Sequence, residues 1–336
     1  MRLRWLAAAT SIVVLGAALA GCGGAGPNTI VLYNGQHLQL TTSLIAAFTR
    51  QTGIHVSVRT GDGIVLADQI LQEGSDSPAD VYLTENSPEL MNLQQHGLLA
   101  KLPASITDQI PPRYDSPIGD WAGVALRVSS LAYDPARIAR SQLPASILQL
   151  AQPQWKGRIA IAPTDSDFVP LVGAIVATYG KPAAVNWLNG LRRNAQLYQD
   201  DESVVAAVNR GAVATGIINQ YYWFRLRLEV GAAATPSRVY YFPNRNIGGL
   251  ENISGAAVLA SSTHKALAER FVRFLVSAAG QRILAHSYDF EYPARPGIAP
   301  NPQLPSLGSI GASTLSVIAL GNDLEASHLI EQAGLA

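Results

Sequence analysis

The sequence predicts an α/β protein of two lobes, with mainly parallel sheets and helices on both sheet faces. Short apolar runs of strand length alternate with segments whose apolar residues recur at helical spacing, which is typical of strand–helix–strand units. The chain also has 336 residues, more than one hydrophobic core usually serves, so a division into two lobes is expected.

The first part of the pattern contains three strands and three helices. In the first helix Leu40, Leu44 and Phe48 fall on one face, and Gly53 suits its C-terminus. The predicted order is strand Thr29–Tyr33, helix Gln39–Gln51, strand His55–Arg59, helix Ile64–Gln72, strand Ala79–Leu83 and helix Pro88–Gln95.

The pattern begins again after residue 157. The predicted order there is strand Arg158–Ala162, helices Val169–Tyr179, Ala183–Leu191 and Ser203–Arg210, and strand Val213–Ile218. Between the two parts, residues 111–125 are rich in Pro and Gly and show no clear periodicity, so we expect the chain to pass between the lobes there.

The division into lobes follows from this passage. We expect lobe 1 to contain residues 29–120 and about 251–300, and lobe 2 to contain about 121–250 and 301–336.

The first residues of the chain form a predicted export signal. Two arginines, Arg2 and Arg4, precede an apolar stretch that ends at Leu19-Ala20-Gly21-Cys22, and these four residues resemble a bacterial lipobox. Residues 1–21 are therefore predicted to be a lipoprotein signal peptide, and Cys22 is predicted to carry the lipid. Residues 22–28 form a Gly-rich tether. No later segment is apolar enough to span a membrane, so the lipid would be the only membrane contact.

Composition excludes several classes of protein. Basic and acidic residues balance at 24 each, whereas a nucleic-acid binder normally carries a basic surplus. Hydrophobic residues make up 48% and charged residues 14%, which excludes an intrinsically disordered chain. A single cysteine excludes an intrachain disulfide and any Cys-rich metal site. The motifs H-E-x-x-H, G-x-S-x-G, G-x-G-x-x-G and G-x-x-x-x-G-K-[ST] are absent, which argues against an enzyme and against an ATPase.

Polar side chains follow four of the predicted strands. In open α/β sheets ligands bind beyond the carboxyl ends of the strands, so these side chains are candidates for one cleft. They are His37, Glu85, Asp165, Ser166, Asp167, Asn219, Tyr221 and Tyr222.

The residue types in this set favour a highly charged cation. Phenolate and carboxylate oxygens are hard ligands, and a phenol with a pKa of about 10 binds only where the cation displaces its proton. Ferric iron does this readily, so two tyrosines with a glutamate and a histidine indicate Fe(III). Each signal has a plain alternative: Tyr221 and Tyr222 could be packing residues, as we expect for Tyr240 and Tyr241, His37 could be structural, and Glu85 could favour a helix dipole.

A set of motifs distributed over residues 29–336 makes the chain recognisable. It resembles the periplasmic ferric-binding proteins, the iron(III) substrate-binding components of ABC importers. The motifs are Leu32–His37, Ser77–Val81, Thr84-Glu85, Ala162–Thr164, Asn219–Trp223, Asn252–Ala256, Glu291–Pro293 and Glu331–Gly334.

The resemblance implies a type II periplasmic-binding-protein fold, in which two α/β lobes close over the ligand about a hinge. In that family a histidine, a glutamate and two adjacent tyrosines bind Fe(III), and these fall on His37, Glu85, Tyr221 and Tyr222. An exogenous anion, typically phosphate, completes the iron shell of the family. It is held by a Ser-Gly-Ala turn and two asparagines.

The sequence departs from the family at this anion site. The turn reads Asp165-Ser166-Asp167, one asparagine position holds Asp201, and the other is retained as Asn219. Carboxylates cannot donate hydrogen bonds to phosphate and repel its charge, so phosphate binding is disfavoured. Our hypothesis is that Asp165 or Asp167 replaces the anion, directly or through a water. The alternative is that both aspartates only cap the following helix and face water.

The resemblance also implies partners and a location. We expect an exported, lipid-anchored monomer that takes iron from chelates and delivers it to an ABC permease with a separate ATPase subunit. Two alternatives stay open: the same fold binding another cation such as a polyamine or a different metal, and a signalling role in which the closed form contacts a sensor kinase.

Overall fold

The computed structural model describes residues 28–313 and 315–336, so the predicted signal peptide and Cys22 lie outside the described residues. One ten-stranded sheet runs through the described part of the chain. The strands are β1 Thr29–Gly35, β2 His55–Thr60, β3 Val81–Thr84, β4 Trp121–Tyr133, β5 Ile159–Ile161, β6 Ala195–Leu197, β7 Thr215–Asn219, β8 Arg238–Tyr240, β9 Glu251–Val258 and β10 Tyr292–Pro293.

Helices cover the sheet and connect its strands. They are α1 Leu38–Thr52, α2 Gly63–Glu73, α3 Ser87–Gln95, α4 Ala104–Thr107, α5 Val169–Tyr179, α6 Lys181–Asn194, α7 Asp201–Asn209, α8 Gln220–Val230, α9 Lys265–Val276, α10 Ala278–Ala285, α11 Leu307–Ile310, α12 Val317–Leu320 and α13 Leu324–Gln332. Across residues 28–313 and 315–336, every helix is too short or too polar to cross a bilayer.

The strand order is β2-β1-β3-β9-β4-β7-β5-β6, with β8 and β10 also paired to β4. Strand β1 pairs in parallel with β2 and β3, and β5 pairs in parallel with β6 and β7. Between these two parallel groups β9 and β4 run antiparallel to their neighbours. The two parallel groups therefore lie on opposite sides of a central antiparallel pair.

Strand β4 passes from one group to the other. Its first part, Trp121–Val128, pairs with β9, and its second part, Ser129–Tyr133, pairs with β7. The sequence analysis assigned no element to residues 121–125 and expected only that the chain passes between the lobes near there; the structure places the beginning of β4 at these residues. All thirteen residues of β4 are buried, so the strand lacks the alternation that a half-exposed strand shows. The predicted lobe boundaries near residues 120 and 250 remain predictions.

Local capping interactions explain where the helices begin and end. Gly53 ends α1 in the left-handed conformation, with φ of 70°, as its position predicted. The Asp200 carboxylate accepts a hydrogen bond from the Ser203 amide at 2.7 Å. Helix α7 therefore starts at Asp201, two residues before its predicted start.

Two hydrophobic clusters hold the site in place. In the first, Phe48 of α1 packs edge-on against Phe271 of α9, with ring centroids 5.0 Å apart, which anchors α1 against α9. In the second, Phe168 stacks on Trp187 of α6 at 5.7 Å. Phe168 directly precedes α5, so this contact anchors the loop that joins β5 to α5. These contacts anchor α1 and the loop before α5, the elements that carry His37 and Asp167 at their beginnings.

Candidate metal centre

The proposed ligands all stand at the carboxyl ends of parallel strands. His37 follows β1 and precedes α1, and Glu85 follows β3. Asp167 lies in the loop after β5, and Tyr221 and Tyr222 form the first turn of α8, directly after β7. Three antiparallel pairings, β3 with β9, β9 with β4 and β4 with β7, separate the two parallel groups, so the groups run in opposite directions. Their carboxyl ends therefore face each other beside the middle of β4, and ligands of α/β sheets bind beyond such ends.

His37 is oriented by its neighbours on both sides. Its amide donates a hydrogen bond to Gln36 Oε1 at 2.6 Å, and its Nδ1 lies 3.2 Å from Glu85 Oε1. Its Nε2 is buried and has no hydrogen-bond partner among the described residues. Burial and, to a smaller extent, the charge of Arg225 lower the pKa of His37 to about 3, so the imidazole is neutral at physiological pH. A neutral imidazole with a free, buried nitrogen can ligate a metal.

The adjacent tyrosines face the histidine and the carboxylates. The rings of Tyr221 and Tyr222 lie 4.1 Å apart, and the Tyr221 ring lies 5.0 Å from that of His37. The Tyr221 hydroxyl donates to Asp167 Oδ2 at 2.9 Å and lies 3.4 Å from Glu85 Oε2. The structure therefore brings His37, Glu85 and Tyr221 into one contact group, with Tyr222 stacked beside it.

Burial keeps the phenols protonated. Desolvation raises the pKa of both Tyr221 and Tyr222 well above the usual value, and the charge of Asp167 raises it further. Desolvation likewise raises the pKa of Glu85, again with Asp167 as the main charged neighbour. A multivalent cation at this point would reverse these shifts, because it favours the ionised form of every group around it.

Asp165 and Asp167, the two aspartates of the turn that differs from the family pattern, have different surroundings. Asp167 is buried and uses its two oxygens separately, Oδ2 accepting from Tyr221 and Oδ1 lying 3.2 Å from Arg127 Nη2. Asp165 accepts backbone N–H groups, from Asp167 at 3.0 Å and from Asp201 at 3.1 Å. The structure thus brings Asp167 to the tyrosines and uses Asp165 to shape the loop.

The other predicted positions around the turn are involved in supporting contacts. Asp201 Oδ2 accepts the Asn219 amide at 3.1 Å, and Asn219 Oδ1 lies 3.5 Å from the Ser129 hydroxyl. The carbonyl of Ser166 lies 3.5 Å from Asn86 Nδ2. None of these contacts reaches the phenols of α8. Asp201, Asn219 and Ser166 therefore lie around the candidate centre, and Asp167 lies inside it.

Sequence reasoning missed Arg127, which lies at the centre of the site. Its guanidinium is fully buried and contacts Asp167 at 3.2 Å, Glu291 at 3.3 Å, Asn86 Oδ1 at 2.7 Å and Glu85 at 3.9 Å. One signal was available, since Arg127 is the only charged residue between Trp121 and Tyr133. A charge inside an apolar run is costly to bury unless it is paired.

The chemistry of the centre depends on its phenols. In the part of the chain that the structure describes, no three His, Cys, Asp and Glu side chains form a metal-binding group by themselves. A cation held here would find the phenol oxygens of Tyr221 and Tyr222 in addition to His37 and Glu85. This donor set, two phenols with a carboxylate and an imidazole, suits a hard trivalent cation better than a divalent one.

Comparisons with known proteins find relatives over most of the chain. The model of the bacterial extracellular solute-binding proteins matches residues 31–288. A Fe(3+)-binding periplasmic protein from Serratia marcescens is 39% identical over 306 residues, covering 91% of this chain and 90% of that protein. The major ferric iron-binding protein of Neisseria meningitidis is 37% identical over 309 residues, covering 91% and 93%.

A solved structure is similar over the same length. Iron-bound HitA from Pseudomonas aeruginosa matches with a TM-score of 0.88 at 39% identity, covering 92% of this chain and 100% of that one. The match confirms the predicted type II fold of two α/β lobes.

Proposed function

The chain belongs to the periplasmic ferric-binding proteins, within the bacterial extracellular solute-binding family, and from this premise we propose that it captures ferric iron between its lobes and delivers it to an ABC importer. Members of the family are solute-binding transport proteins and not enzymes. The observation that carries the proposal is the contact group formed by His37, Glu85, Tyr221 and Tyr222 between the facing carboxyl ends of the two strand groups.

Each proposed ligand has a distinct role. Tyr221 and Tyr222 supply phenolate oxygens, which bind ferric iron strongly once their protons have left. Glu85 supplies a third negative charge, so iron and these three anions are together neutral. His37 supplies a neutral nitrogen, and its unpartnered Nε2 is the atom available for the metal.

We further propose that Asp167, not Asp165, takes the place of the exogenous anion. The Asp167 carboxylate hydrogen-bonds to Tyr221, whereas both oxygens of Asp165 accept backbone amides. Asp167 would bind the metal directly or through a water once the Tyr221 proton has left. Its negative charge also disfavours phosphate at the same place.

Export and docking complete the proposal. The relatives named as periplasmic proteins support an exported location, and the lipobox-like ending at Cys22 supports a lipid anchor at the outer face of the cell membrane or in the periplasm. We propose that the mature protein, residues 22–336, acts as a monomer. It would take iron from chelates and pass it to a permease with a separate ATPase subunit.

The test is a visible absorption titration of the mature protein with ferric citrate. We expect a broad tyrosinate-to-iron charge-transfer band that saturates at one iron per protein. Parallel thermal-shift measurements with a polyamine and with divalent metals compare the alternative cargoes, because a ligand that binds only the folded state raises the melting temperature. A wild-type protein without the band, but stabilised by a polyamine, would refute ferric binding.

Ferric affinity is expected to fall as the pH falls. Because the pKa values of Tyr221 and Tyr222 are raised, both phenols are protonated in the metal-free protein at neutral pH and must release their protons to bind. His37 releases none, since its pKa is lowered to about 3. Proton release measured in weakly buffered solution on adding iron should therefore be at least about two per metal, from the two phenols, and Glu85 adds to it where its raised pKa leaves it protonated. Binding without proton release would contradict the assigned ligands.

A further inference from the structure

Arg127 is the buried cation of the proposed centre. It lies on β4, and its guanidinium touches groups from both sides of the cleft: Glu85 and Glu291 on the side of β3 and β10, and Asp167 after β5. Its side chain is fully buried. An arginine stays charged in proteins, so this positive charge belongs to the site whether or not a metal is bound.

The contacts of Arg127 fix the direction of the Asp167 carboxylate. Arg127 Nη2 is 3.2 Å from Asp167 Oδ1, which leaves Oδ2 for Tyr221 at 2.9 Å. The same Nη2 donates to Asn86 Oδ1 at 2.7 Å, and Asn86 Oδ1 also accepts from Asn252 at 2.6 Å. Arg127 is therefore itself held by Asn86 and by the Glu291 carboxylate, and Asp167 is held by Arg127.

The net charge of the proposed ligands explains why a buried arginine lies beside Asp167. Ferric iron with Glu85 and two phenolates is neutral, and the Asp167 carboxylate adds one negative charge. The buried Glu291 carboxylate, 3.3 Å from Arg127, is a further acidic group that the guanidinium faces. A buried unpaired charge is costly, and the guanidinium 3.2 Å away offsets it.

We propose that Arg127 is the positioning residue that lets Asp167 serve as an internal anion: it orients the carboxylate toward Tyr221 and compensates its charge. This inference rests on the proposed function and on the role proposed for Asp167. It defines the specificity of the site, because Arg127 and Asp167 together make a ferric centre that needs no exogenous anion.

The test compares Arg127→Gln with Arg127→Lys, each alone and combined with Asp167→Asn, in the mature protein. Ferric affinity is measured by citrate competition, with and without added phosphate. Residues that orient a metal ligand are worth about 10- to 100-fold in metal affinity, so Arg127→Gln should lose that much. Arg127→Lys keeps the positive charge and should stay independent of phosphate. In the Asp167→Asn background, Arg127→Gln should cause little further loss, because the carboxylate that it orients is gone.

Some outcomes would overturn the proposal. If Arg127→Gln lowers ferric affinity equally in the wild-type and the Asp167→Asn backgrounds, Arg127 acts only through the fold or the other carboxylates. A folded Arg127→Lys protein that requires phosphate would also refute the charge argument, and this measurement decides the matter if Arg127→Gln does not fold. A wild-type protein that binds no ferric iron would refute the proposed function instead, so the two failures are distinguishable.

Discussion

Replacing Tyr221 and Tyr222 together by phenylalanine is expected to abolish the visible charge-transfer band of the ferric protein. The phenyl rings keep the packing of the pair, whose centroids lie 4.1 Å apart, but lack the oxygens. Groups that merely orient a metal ligand are worth about 10- to 100-fold in affinity, so losing two direct ligands should cost more than about 100-fold. Citrate competition monitored at the band maximum measures the affinity, and intrinsic fluorescence follows binding where the band is lost.

The chain provides a matched control in its other adjacent tyrosine pair. Tyr240 and Tyr241 lie outside the candidate centre, and the Tyr240 hydroxyl donates to the Pro144 carbonyl at 2.9 Å. Changing both to phenylalanine should leave the band and the ferric affinity unaltered. A band that survives in the Tyr221→Phe, Tyr222→Phe protein, or that disappears in the control, would show that the iron ligands lie elsewhere.

The substitution Asp167→Asn should convert the protein from anion-independent to anion-dependent ferric binding. Without added phosphate we expect a loss of about 10- to 100-fold in affinity, the range for groups that support a metal site. With phosphate much of the loss should be recovered, because an amide can donate a hydrogen bond to phosphate and carries no charge to repel it. Citrate competition at several phosphate concentrations measures both the loss of ferric affinity and its recovery.

Asp165→Asn is the natural control for that substitution. Asp165 accepts the amides of Asp167 and Asp201, so its loss should lower thermal stability and leave phosphate dependence unchanged. Two results would refute the role given to Asp167: a wild-type protein whose ferric affinity rises sharply with phosphate, or an Asp165→Asn protein with the same anion dependence as Asp167→Asn.

The sequence predicted the alternating elements well because their signals are local. Helix α5 spans Val169–Tyr179 as predicted, and the predicted strands and helices overlap the observed ones with shifts of a few residues. Strand β4 was missed because its burial on both faces removes any alternation. Its double pairing, with β9 and then β7, depends on residues far away in sequence and has no local signal.

The candidate centre was partly predictable for a different reason. His37, Glu85, Tyr221 and Tyr222 each follow a strand, and the rule that ligands bind beyond the carboxyl ends of strands selects them without any knowledge of packing. That the two strand groups face each other depends on the pairings of β4 and β9, which the sequence does not show. The distinct environments of Asp165 and Asp167, two residues apart, depend on loop geometry that spacing cannot show. Arg127 escaped notice because its partners come from three separate segments of the chain.

The course of β4 has a mechanical consequence. Val128 pairs with Glu251 at the beginning of β9, so at this crossing the lobes are joined by two hydrogen-bonded strands side by side rather than by a loose tether. Such a ribbon resists stretching and shearing but can bend and twist, so we expect relative lobe motion to be chiefly a rotation. A permease that contacts both lobes, as proposed, would then open the metal centre by rotating one lobe relative to the other.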